Sequence, residues 1–300
     1  MTNPVLERLT HYGLRPRKEL GQHFLIDLRV LERIQQAIDP GPGDVVLEYG
    51  AGVGVLTGHL LDAGARVVAV ELDDALADVL RHELGERPGF RLVHADLARV
   101  SAPALRAELG VAQLKLAGNL PYQLTSHVLF GVLDLEAHLH SAVFMVQREV
   151  AERIVAAPGT REYGILSVLL RAYHEVKIIV RAKPGAFAPP PRVDSAVLRI
   201  TPRAGGPALA WNERGVFAGL LKRTFNERRK VLRNTLKKFY GLDATALEAA
   251  ENGSGLDFGR RPETLNVDEF VRLLHVLPAA VRDPHGTTPG ATGVNASDED

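Results

Sequence analysis

Short apolar runs alternate with amphipathic stretches through the first 200 residues of the chain. The apolar runs predict strands at residues 45–49, 66–72, 91–95, 114–118, 141–147, 176–182 and 195–201. Between the early runs, residues 55–63 and 75–84 repeat apolar positions at helical spacing. Strands rich in Val, Leu and Ile that alternate with helices are typical of a parallel sheet covered on both faces. The last two runs have no helical pattern between them, so we expect them to pair antiparallel at an edge of the sheet.

The pattern changes after residue 202, where only helical periodicity follows a short linker, "RAGGP". Helical patterns cover residues 211–240, 244–251 and 267–276, and the tail from residue 283 is rich in Gly, Thr and acids. We therefore predict an α/β domain with a Rossmann-like, mostly parallel sheet over residues 1–203, a small C-terminal α-helical domain over 204–280 and a disordered tail over 281–300.

Composition narrows the class of protein. Hydrophobic residues make up 46% and charged residues 24% of the chain, as in ordinary globular proteins. The chain has no cysteine, which excludes disulfides and thiolate chemistry, and its eleven histidines form no metal-ligand pattern. The sequence contains neither an apolar run long enough to span a membrane nor a recognisable secretory signal. We expect a cytoplasmic protein without a metal or a membrane partner, and a monomer by default.

Charge is segregated along a chain whose net charge is zero. Residues 204–240 carry nine Lys or Arg against two acids, whereas residues 31–118 carry eight against thirteen. Such a basic block indicates a polyanionic partner. Six side chains of the block are candidate RNA contacts: Lys222, Arg223, Arg228, Arg229, Lys230 and Arg233. The alternative is an ordinary solvated helix face.

Polar residues or glycines stand at the ends of four predicted strands. The first strand is followed by Gly50, Gly52 and Gly54, the second ends near Glu71, and Asp96 follows the third. Ligands of open α/β sheets bind outside the carboxyl ends of the strands, and an acidic residue about 20 positions after the glycines suits a ribose. A tight turn with a solvated acid would give the same pattern.

The chemistry of the glycine turn favours one nucleoside ligand over another. The spacing is G-x-G-x-G rather than the dinucleotide fingerprint, and Glu48 precedes the first glycine by two residues. A pyrophosphate beside that carboxylate is unfavourable, whereas a cation is welcome. The sequence therefore favours S-adenosyl-L-methionine, which carries a sulfonium and an ammonium group, over NAD.

The fourth strand ends in Asn119-Leu120-Pro121-Tyr122. The N6 amine of adenine is a poor nucleophile because its lone pair is delocalised into the ring. The Asn119 side-chain oxygen and the Leu120 carbonyl can accept hydrogen bonds from that amine and free the lone pair, with Pro121 fixing the backbone. Tyr122 offers a flat face for an extruded base. A simple Asn-x-Pro turn is the alternative.

Eight motifs in order make the sequence similar to a known family, the ribosomal RNA adenine N6-dimethyltransferases of the KsgA or RsmA type. They are "KELGQHFL" (18–25), "LEYGAGVGVLT" (47–57), "VAVELD" (68–73), "HADL" (94–97), "NLPYQLTS" (119–126), "VQREVAERI" (146–154), "FAPPPRVDSAV" (187–197) and "NERRKVLRN" (226–234). The similarity runs from about residue 18 to residue 277.

The resemblance implies a class I methyltransferase that dimethylates two adjacent adenines near the 3′ end of 16S rRNA in the small ribosomal subunit. It implies that the N-terminal segment, residues 1–40, closes over the cofactor and that Phe187 stacks on the target base opposite Tyr122. The implied cofactor-site residues are Gln22, His23, Leu25, Gly50, Gly52, Glu71, Asp96 and Asn119. The chain departs from the usual pattern at His23, where Asn is common, and at Ala51, where Pro is common.

Three alternatives stay open at the level of sequence. An antibiotic-resistance methyltransferase that modifies large-subunit rRNA shares the catalytic motifs. A DNA adenine methylase usually carries Asp-Pro-Pro-Tyr instead of the sequence at residues 119–122. A non-catalytic RNA-binding factor could keep the fold, although Asn119 and Glu71 are both present here.

Overall fold

The structure of the protein is a computed structural model that describes residues 3–278, except for the side chain of Lys18. The predicted tail, residues 281–300, lies outside the described residues. The strands are β1 (Phe24–Leu25), β2 (Val45–Tyr49), β3 (Arg66–Glu71), β4 (Phe90–His94), β5 (Leu114–Asn119), β6 (Leu139–Gln147), β7 (His174–Ala182), β8 (Phe187–Ala188) and β9 (Ser195–Pro202). The helices are α1 (Pro4–His11), α2 (Leu28–Ile38), α3 (Val55–Asp62), α4 (Asp74–Leu84), α5 (Ala102–Leu109), α6 (Thr125–Asp134), α7 (Arg148–Val155), α8 (Ile165–Tyr173), α9 (Arg214–Asn226), α10 (Leu232–Tyr240), α11 (Ala244–Ser254) and α12 (Val267–Val276).

Seven of the strands form one sheet in the order β4-β3-β2-β5-β6-β9-β7. Neighbouring strands from β4 through β6 are parallel, and β9 pairs antiparallel with β6. This confirms the predicted Rossmann-like, mostly parallel sheet. The antiparallel strand is not the outermost one, because β7 lies beyond β9 at the edge. All five residues of β2 are buried, as expected for a strand covered by helices on both faces.

The N-terminal segment is anchored to the rest of the chain at two places. The strand β1 pairs antiparallel with β8 and forms a separate two-stranded ribbon. Helix α1 packs Val5 and Leu9 into a small apolar cluster with residues of α2, α4 and the turn after β2. The Arg8 guanidinium donates from Nη1 to the Val53 carbonyl at 2.6 Å and also pairs with Glu83. These contacts hold the segment beside the carboxyl ends of the strands.

The predicted helical pattern over residues 211–240 is two helices rather than one. Helix α9 ends at Asn226 and α10 begins at Leu232, with a turn between them in which the Lys230 amide donates to the Glu227 carbonyl. The first amides of α10, those of Leu232 and Arg233, donate to the carbonyls of Arg260 and Phe258. These amides therefore bond to carbonyls of a distant segment and not to a preceding helical turn. The hydrophobic periodicity of the sequence cannot reveal such a break between two helices.

The chain divides into two compact units, and the division differs from the boundary predicted near residue 203. One unit runs up to Ala151 and resumes over Val176–Pro202, and the other contains Glu152–Glu175 and the chain from Arg203 onwards. Hydrogen bonds explain why the segment Glu152–Glu175 belongs with the C-terminal helices. The Tyr163 hydroxyl donates to the Leu265 carbonyl at 2.8 Å, and the Gly159 amide donates to the Glu263 carbonyl at 2.7 Å.

Two kinds of feature are absent from the described residues, 3–278. No helix among them has both the length and the apolar character needed to cross a bilayer. In the same part of the chain, no three or more acidic or imidazole side chains are grouped as metal ligands would be.

Candidate active site

A cavity lies at the carboxyl ends of β2, β3, β4 and β5, and the N-terminal segment forms one of its walls. The structure brings together ten of the residues predicted for the site. They are Gln22, His23, Leu25, Gly50, Gly52, Glu71, Asp96, Asn119, Leu120 and Tyr122. Their convergence follows from the parallel strands, whose ends meet at one edge of the sheet.

The glycine turn after β2 gives the cavity its floor. Gly50, Gly52 and Gly54 all have left-handed backbone angles, with φ of 71°, 59° and 77°. Such angles are unfavourable for residues with a side chain. At Gly54 a Cβ atom would also lie 2.7 Å from Leu80 Cδ2, so this glycine lets α3 approach α4 closely. Gly50 and Gly52 border the cavity itself.

The Glu71 carboxylate is held rigidly at the cavity wall by three backbone amides. Its Oε2 accepts from the Gly52 amide at 2.9 Å, and its Oε1 accepts from the amides of Leu72 and Asp73 at 2.9 and 3.0 Å. The side chain is only 7% exposed, and burial raises its pKa although the three amides oppose that shift. The carboxylate is thus oriented before any ligand arrives, with lone pairs remaining for donors such as hydroxyl groups.

Asp96 lies on the same side of the cavity. Its Oδ1 caps the following short helix by accepting from the Ala98 amide at 2.9 Å. The cap fixes the carboxyl group beside the wall formed by Leu97. An acceptor next to an apolar wall suits the amino edge of an adenine ring.

Glu48 is a buried residue of the site, whereas the sequence suggested only that its charge disfavours an anion and favours a cation. It lines the cavity, is 2% exposed, and accepts a hydrogen bond from Thr57 Oγ1 at 2.7 Å. Burial, assisted by the neighbouring Glu71 carboxylate, raises the pKa of Glu48 to about 8. Burial therefore favours the protonated form of this carboxyl.

This raised pKa predicts a pH-dependent stability. The folded protein holds a proton on Glu48 that the unfolded chain loses above its ordinary pKa of 4.5, so the group's contribution is complete below about pH 4.5 and is lost as the pH rises to about 8. We expect the free energy of unfolding of Glu48→Gln, which keeps an acceptor for Thr57, to exceed that of the wild type by about 3–5 kcal/mol more at about pH 8.5 than at pH 4.5. Urea unfolding at both pH values measures this, and an equal change at both would contradict it.

The Asn119 amide is tied to the N-terminal segment. Its Nδ2 donates to the His23 carbonyl at 2.8 Å, which commits the nitrogen and leaves Oδ1 as the acceptor at the cavity. The Leu120 amide donates to the Met145 carbonyl at 3.1 Å, and this bond continues the pairing of β5 with β6. Pro121 follows with φ of −54°, and its carbonyl accepts from the Leu124 amide. The turn therefore fixes the two predicted acceptors close together.

Tyr122 presents a half-buried ring to the cavity. Its hydroxyl lies 3.0 Å from Ser195 Oγ, and its ring lies nearly parallel to the His23 imidazole, with centroids 6.0 Å apart. His23 Nδ1 is in turn 2.8 Å from the Pro189 carbonyl. Ser195 is fully buried and was missed by the sequence analysis, in which only its position within a family motif pointed to it.

Two predicted site residues have other roles in this structure. Phe187 does not line the cavity: it is 3% exposed, packs in the main apolar core and pairs with Leu25 in the ribbon. The ribbon holds the ring in the core in this conformation, and its stacking on a target base opposite Tyr122 stays a prediction. Gln22 borders the cavity, but its Oε1 accepts from the Arg17 amide and its Nε2 donates to Asp73. Its amide ties the N-terminal segment to the turn after β3.

The basic block lies entirely in the second unit, and its six candidate RNA contacts fall into two groups. Three of them make contacts within the unit: Arg223 lies over the Tyr240 ring, Arg228 donates to the Thr160 carbonyl, and Arg233 pairs with Glu251. The other three are exposed: Lys222, Arg229 and Lys230. The break between α9 and α10 places Arg229 and Lys230 in a turn rather than on the face of one long helix.

Comparisons with known proteins place the chain in one family. The family model described as ribosomal RNA adenine dimethylase matches residues 13–277. The ribosomal RNA small subunit methyltransferase A of Anaeromyxobacter dehalogenans is 48% identical over 276 residues, which cover 90% of this chain and 96% of that protein.

Two solved structures have the same fold. The 23S rRNA methyltransferase ErmE is 27% identical with a TM-score of 0.66, and the match covers 85% of this chain and 99% of the other. A dimethyladenosine transferase from Plasmodium falciparum is 22% identical with a TM-score of 0.69, covering 84% and 96% of the two chains. The resemblance read from the eight motifs is confirmed: the protein is a methyltransferase that belongs to the ribosomal RNA adenine dimethylase family.

Proposed function

We propose that the protein transfers methyl groups from S-adenosyl-L-methionine to N6 of two adjacent adenines near the 3′ end of 16S rRNA, producing N6,N6-dimethyladenosines in the cytoplasmic small ribosomal subunit. The observation that carries this proposal is the fixed Asn119 amide, which lines the cavity and whose Nδ2 donates to the His23 carbonyl, so that Oδ1 is left as the acceptor. The choice of the small subunit rests on the relatives: identity is 48% to a small-subunit enzyme but 27% to a large-subunit enzyme.

The cavity suits the proposed cofactor in its charges. Among the described residues that line it, three carry carboxyl groups, Glu48, Glu71 and Asp96, and none is Lys or Arg. Glu71 would hold the ribose hydroxyls, Asp96 the adenine amino group, and the glycine turn the methionine end, whose ammonium charge beside Glu48 would favour the ionised form of that carboxyl. When bound, the cofactor supplies an electrophilic methyl group on its sulfonium sulfur. A pyrophosphate would meet carboxylates instead of cations.

The chain's own contribution to the reaction is positioning. In the first transfer, Asn119 Oδ1 and the Leu120 carbonyl would accept hydrogen bonds from the two N–H groups of the adenine amine, which orients the nitrogen lone pair toward the methyl donor. The methylated nitrogen then loses one proton to solvent, and in the second transfer its remaining N–H would bond to one of the two acceptors. Tyr122 supports the base from one side. Alignment of this kind is worth about 7–11 kcal/mol in well-oriented reactions. The second unit, through Lys222, Arg229 and Lys230, would neutralise rRNA phosphates and select the ribosomal substrate.

The proposal predicts that Glu71→Gln weakens cofactor binding. A glutamine has one acceptor oxygen, so its NH₂ group would face the amide donors of Gly52 or of Leu72 and Asp73. We expect about 100-fold weaker binding of S-adenosylhomocysteine, equivalent to an unsatisfied buried donor together with a lost ribose contact. Isothermal titration calorimetry measures the affinity. Asp62→Asn, an exposed carboxyl on α3 that pairs with Arg87, is the matched control and should bind normally.

The proposed function itself is tested by transfer of labelled methyl groups to purified subunits. Under-methylated small subunits, large subunits and duplex DNA are offered in parallel, and the labelled nucleosides are identified. Label on the small subunit alone, recovered as N6,N6-dimethyladenosine, is the expected result. Label on the large subunit alone would assign the chain to the large-subunit branch. Cofactor binding without any transfer would favour the RNA-binding factor.

A further inference from the structure

Two cations share one carboxylate on the surface of the first unit. Asp194 Oδ2 accepts from Arg148 Nη1 at 2.8 Å and from Lys183 Nζ at 2.9 Å. The Asp194 carbonyl also accepts from the Arg148 amide at 2.9 Å. Arg148 opens α7 directly after β6, whereas Lys183 and Asp194 lie at the two ends of the segment between β7 and β9. We call Arg148, Lys183 and Asp194 the rim cluster.

The rim cluster lies next to the place where the target base would bind. Strand β6 runs parallel to β5 with Met145 opposite Asn119, so Arg148 follows three residues beyond the catalytic end of the neighbouring strand. At a strand rise of about 3.3 Å per residue, that is about 10 Å past the edge. On the other side, Asp194 adjoins Ser195, whose hydroxyl lies 3.0 Å from that of Tyr122.

The basic side chains of the rim cluster reach solvent. Arg192, the second basic residue of the segment between β7 and β9, is exposed as well. The Lys183 and Arg148 side chains are 82% and 47% exposed, while Asp194 is 20% exposed. The Lys183 ammonium, with further help from Arg148, lowers the pKa of Asp194. Exposed ion pairs contribute little to stability, so a need for stability does not account for the rim cluster.

The chemistry of the substrate requires cations at this position. A base that is extruded into the cavity takes its sugar and flanking phosphates to the edge of the site. The cavity walls bear carboxyl groups, so the phosphates are repelled from the interior and stay outside. Phosphate oxygens at the edge would meet the exposed guanidinium and ammonium groups of the rim cluster.

We propose that Arg148 and Lys183 form a binding site for a backbone phosphate of the RNA strand beside the target adenine, with Asp194 holding both cations in place until the phosphate arrives. The inference deepens the proposed function, on which it rests, by giving the first unit its own contact with the RNA backbone. It differs from the basic block of the second unit, because the rim cluster would act on the nucleotide that reacts rather than on the ribosome as a whole.

Binding of a short, fluorescently labelled single-stranded RNA with two adjacent adenines tests the proposal without any methyl transfer. Anisotropy is measured over a range of KCl concentrations for the full chain and for Arg148→Gln, Lys183→Gln and the double variant. We expect the double variant to bind about tenfold more weakly and the slope of log affinity against log salt to fall by about 0.7 per cation removed. Arg148→Lys should keep the slope. Arg91→Gln, which breaks the exposed pair with Glu108 at 2.7 Å on β4, is the matched control and should bind as the wild type does.

Asp194→Asn separates phosphate binding from a structural role. Removing the shared carboxylate should tighten RNA binding and steepen the slope of log affinity against log salt. If the cluster had only a structural role, Asp194→Asn would weaken RNA binding as the cation variants do. An unchanged slope in the double variant, or weakening by Asp194→Asn, would overturn the proposal. If small subunits are not methylated while the RNA-binding shifts are seen, the proposed function fails and the phosphate site stands. If small subunits are methylated but the double variant binds RNA as the wild type does, the proposed function stands and the phosphate site fails.

Discussion

Asn119→Ala is expected to lower the rate of methyl transfer by about 10²–10³-fold while the full-length protein still binds S-adenosylhomocysteine. The substitution removes the Oδ1 acceptor at the cavity and also the Nδ2 bond to the His23 carbonyl. Removal of one preorganised hydrogen-bonding group from an active site costs about that factor in other enzymes. Single-turnover transfer from labelled S-adenosyl-L-methionine to under-methylated small subunits measures the rate, and calorimetry measures cofactor affinity.

Asn119→Asp sharpens the interpretation of that result. The aspartate keeps an oxygen near the reacting amine but cannot donate to the His23 carbonyl, which would repel it instead. We expect this variant to be as impaired as Asn119→Ala. If it were nearly as active as the wild type, the tie to the N-terminal segment would have no part in catalysis, and acceptance by Oδ1 alone would suffice. Equal activity of Asn119→Ala and the wild type would contradict the whole assignment.

Lys115→Ala is expected to destabilise the protein by about 3–5 kcal/mol without changing the chemistry of the site. Lys115 lies in β5, is only 5% exposed, and does not line the cavity. Its ammonium donates to Asp44 Oδ2 at 2.8 Å and to the Asp39 carbonyl that follows α2. Truncation removes the buried stem of Lys115, leaves the Asp39 carbonyl without this donor, and leaves the partly exposed Asp44 carboxylate with the Gly41 amide but without its cation. Urea unfolding gives the change in free energy.

A double substitution distinguishes loss of the pair from loss of packing. Lys115→Met with Asp44→Asn keeps an apolar stem in the buried position and removes the charge that would otherwise stay unpaired. Asp44 Oδ2 also accepts from the Gly41 amide at 2.9 Å, and asparagine can keep that bond. We expect the double variant to cost less than Lys115→Ala alone. A larger cost would show that the ion pair itself is strongly stabilising.

The strands and the residues at their ends could be predicted from the sequence because both are local properties. A parallel strand buried on two faces is an apolar run, and the residue after it must lie at the carboxyl edge of the sheet. Glu71, Asp96 and Asn119 were found in this way, and all three line the cavity. The family motifs then added the N-terminal residues, whose place beside the site no periodicity indicates.

Contacts between distant segments could not be predicted from the sequence. The bond from Asn119 to the His23 carbonyl spans 96 positions, and a backbone carbonyl leaves no trace in the sequence. Ser195 meets Tyr122 over 73 positions in the same way. Phe187 was assigned from its motif alone, but its pairing in the ribbon buries it. The ends of α9 and α10 depend on carbonyls of residues 258 and 260, which lie beyond any local window.

The path of the chain between its two units limits how the protein can be divided. The chain passes from one unit to the other after residues 151, 175 and 202. A truncation at residue 202 would therefore keep α8 but remove its packing partners α9 and α12, exposing Val168, Leu169 and Leu170. We infer that the catalytic part cannot be isolated by one cut, and that exchanging the helical part between related enzymes requires transplanting both segments together. During synthesis on the ribosome, α8 is made before the last strands of the other unit's sheet. Its packing partners α9 and α12 are made only after those strands.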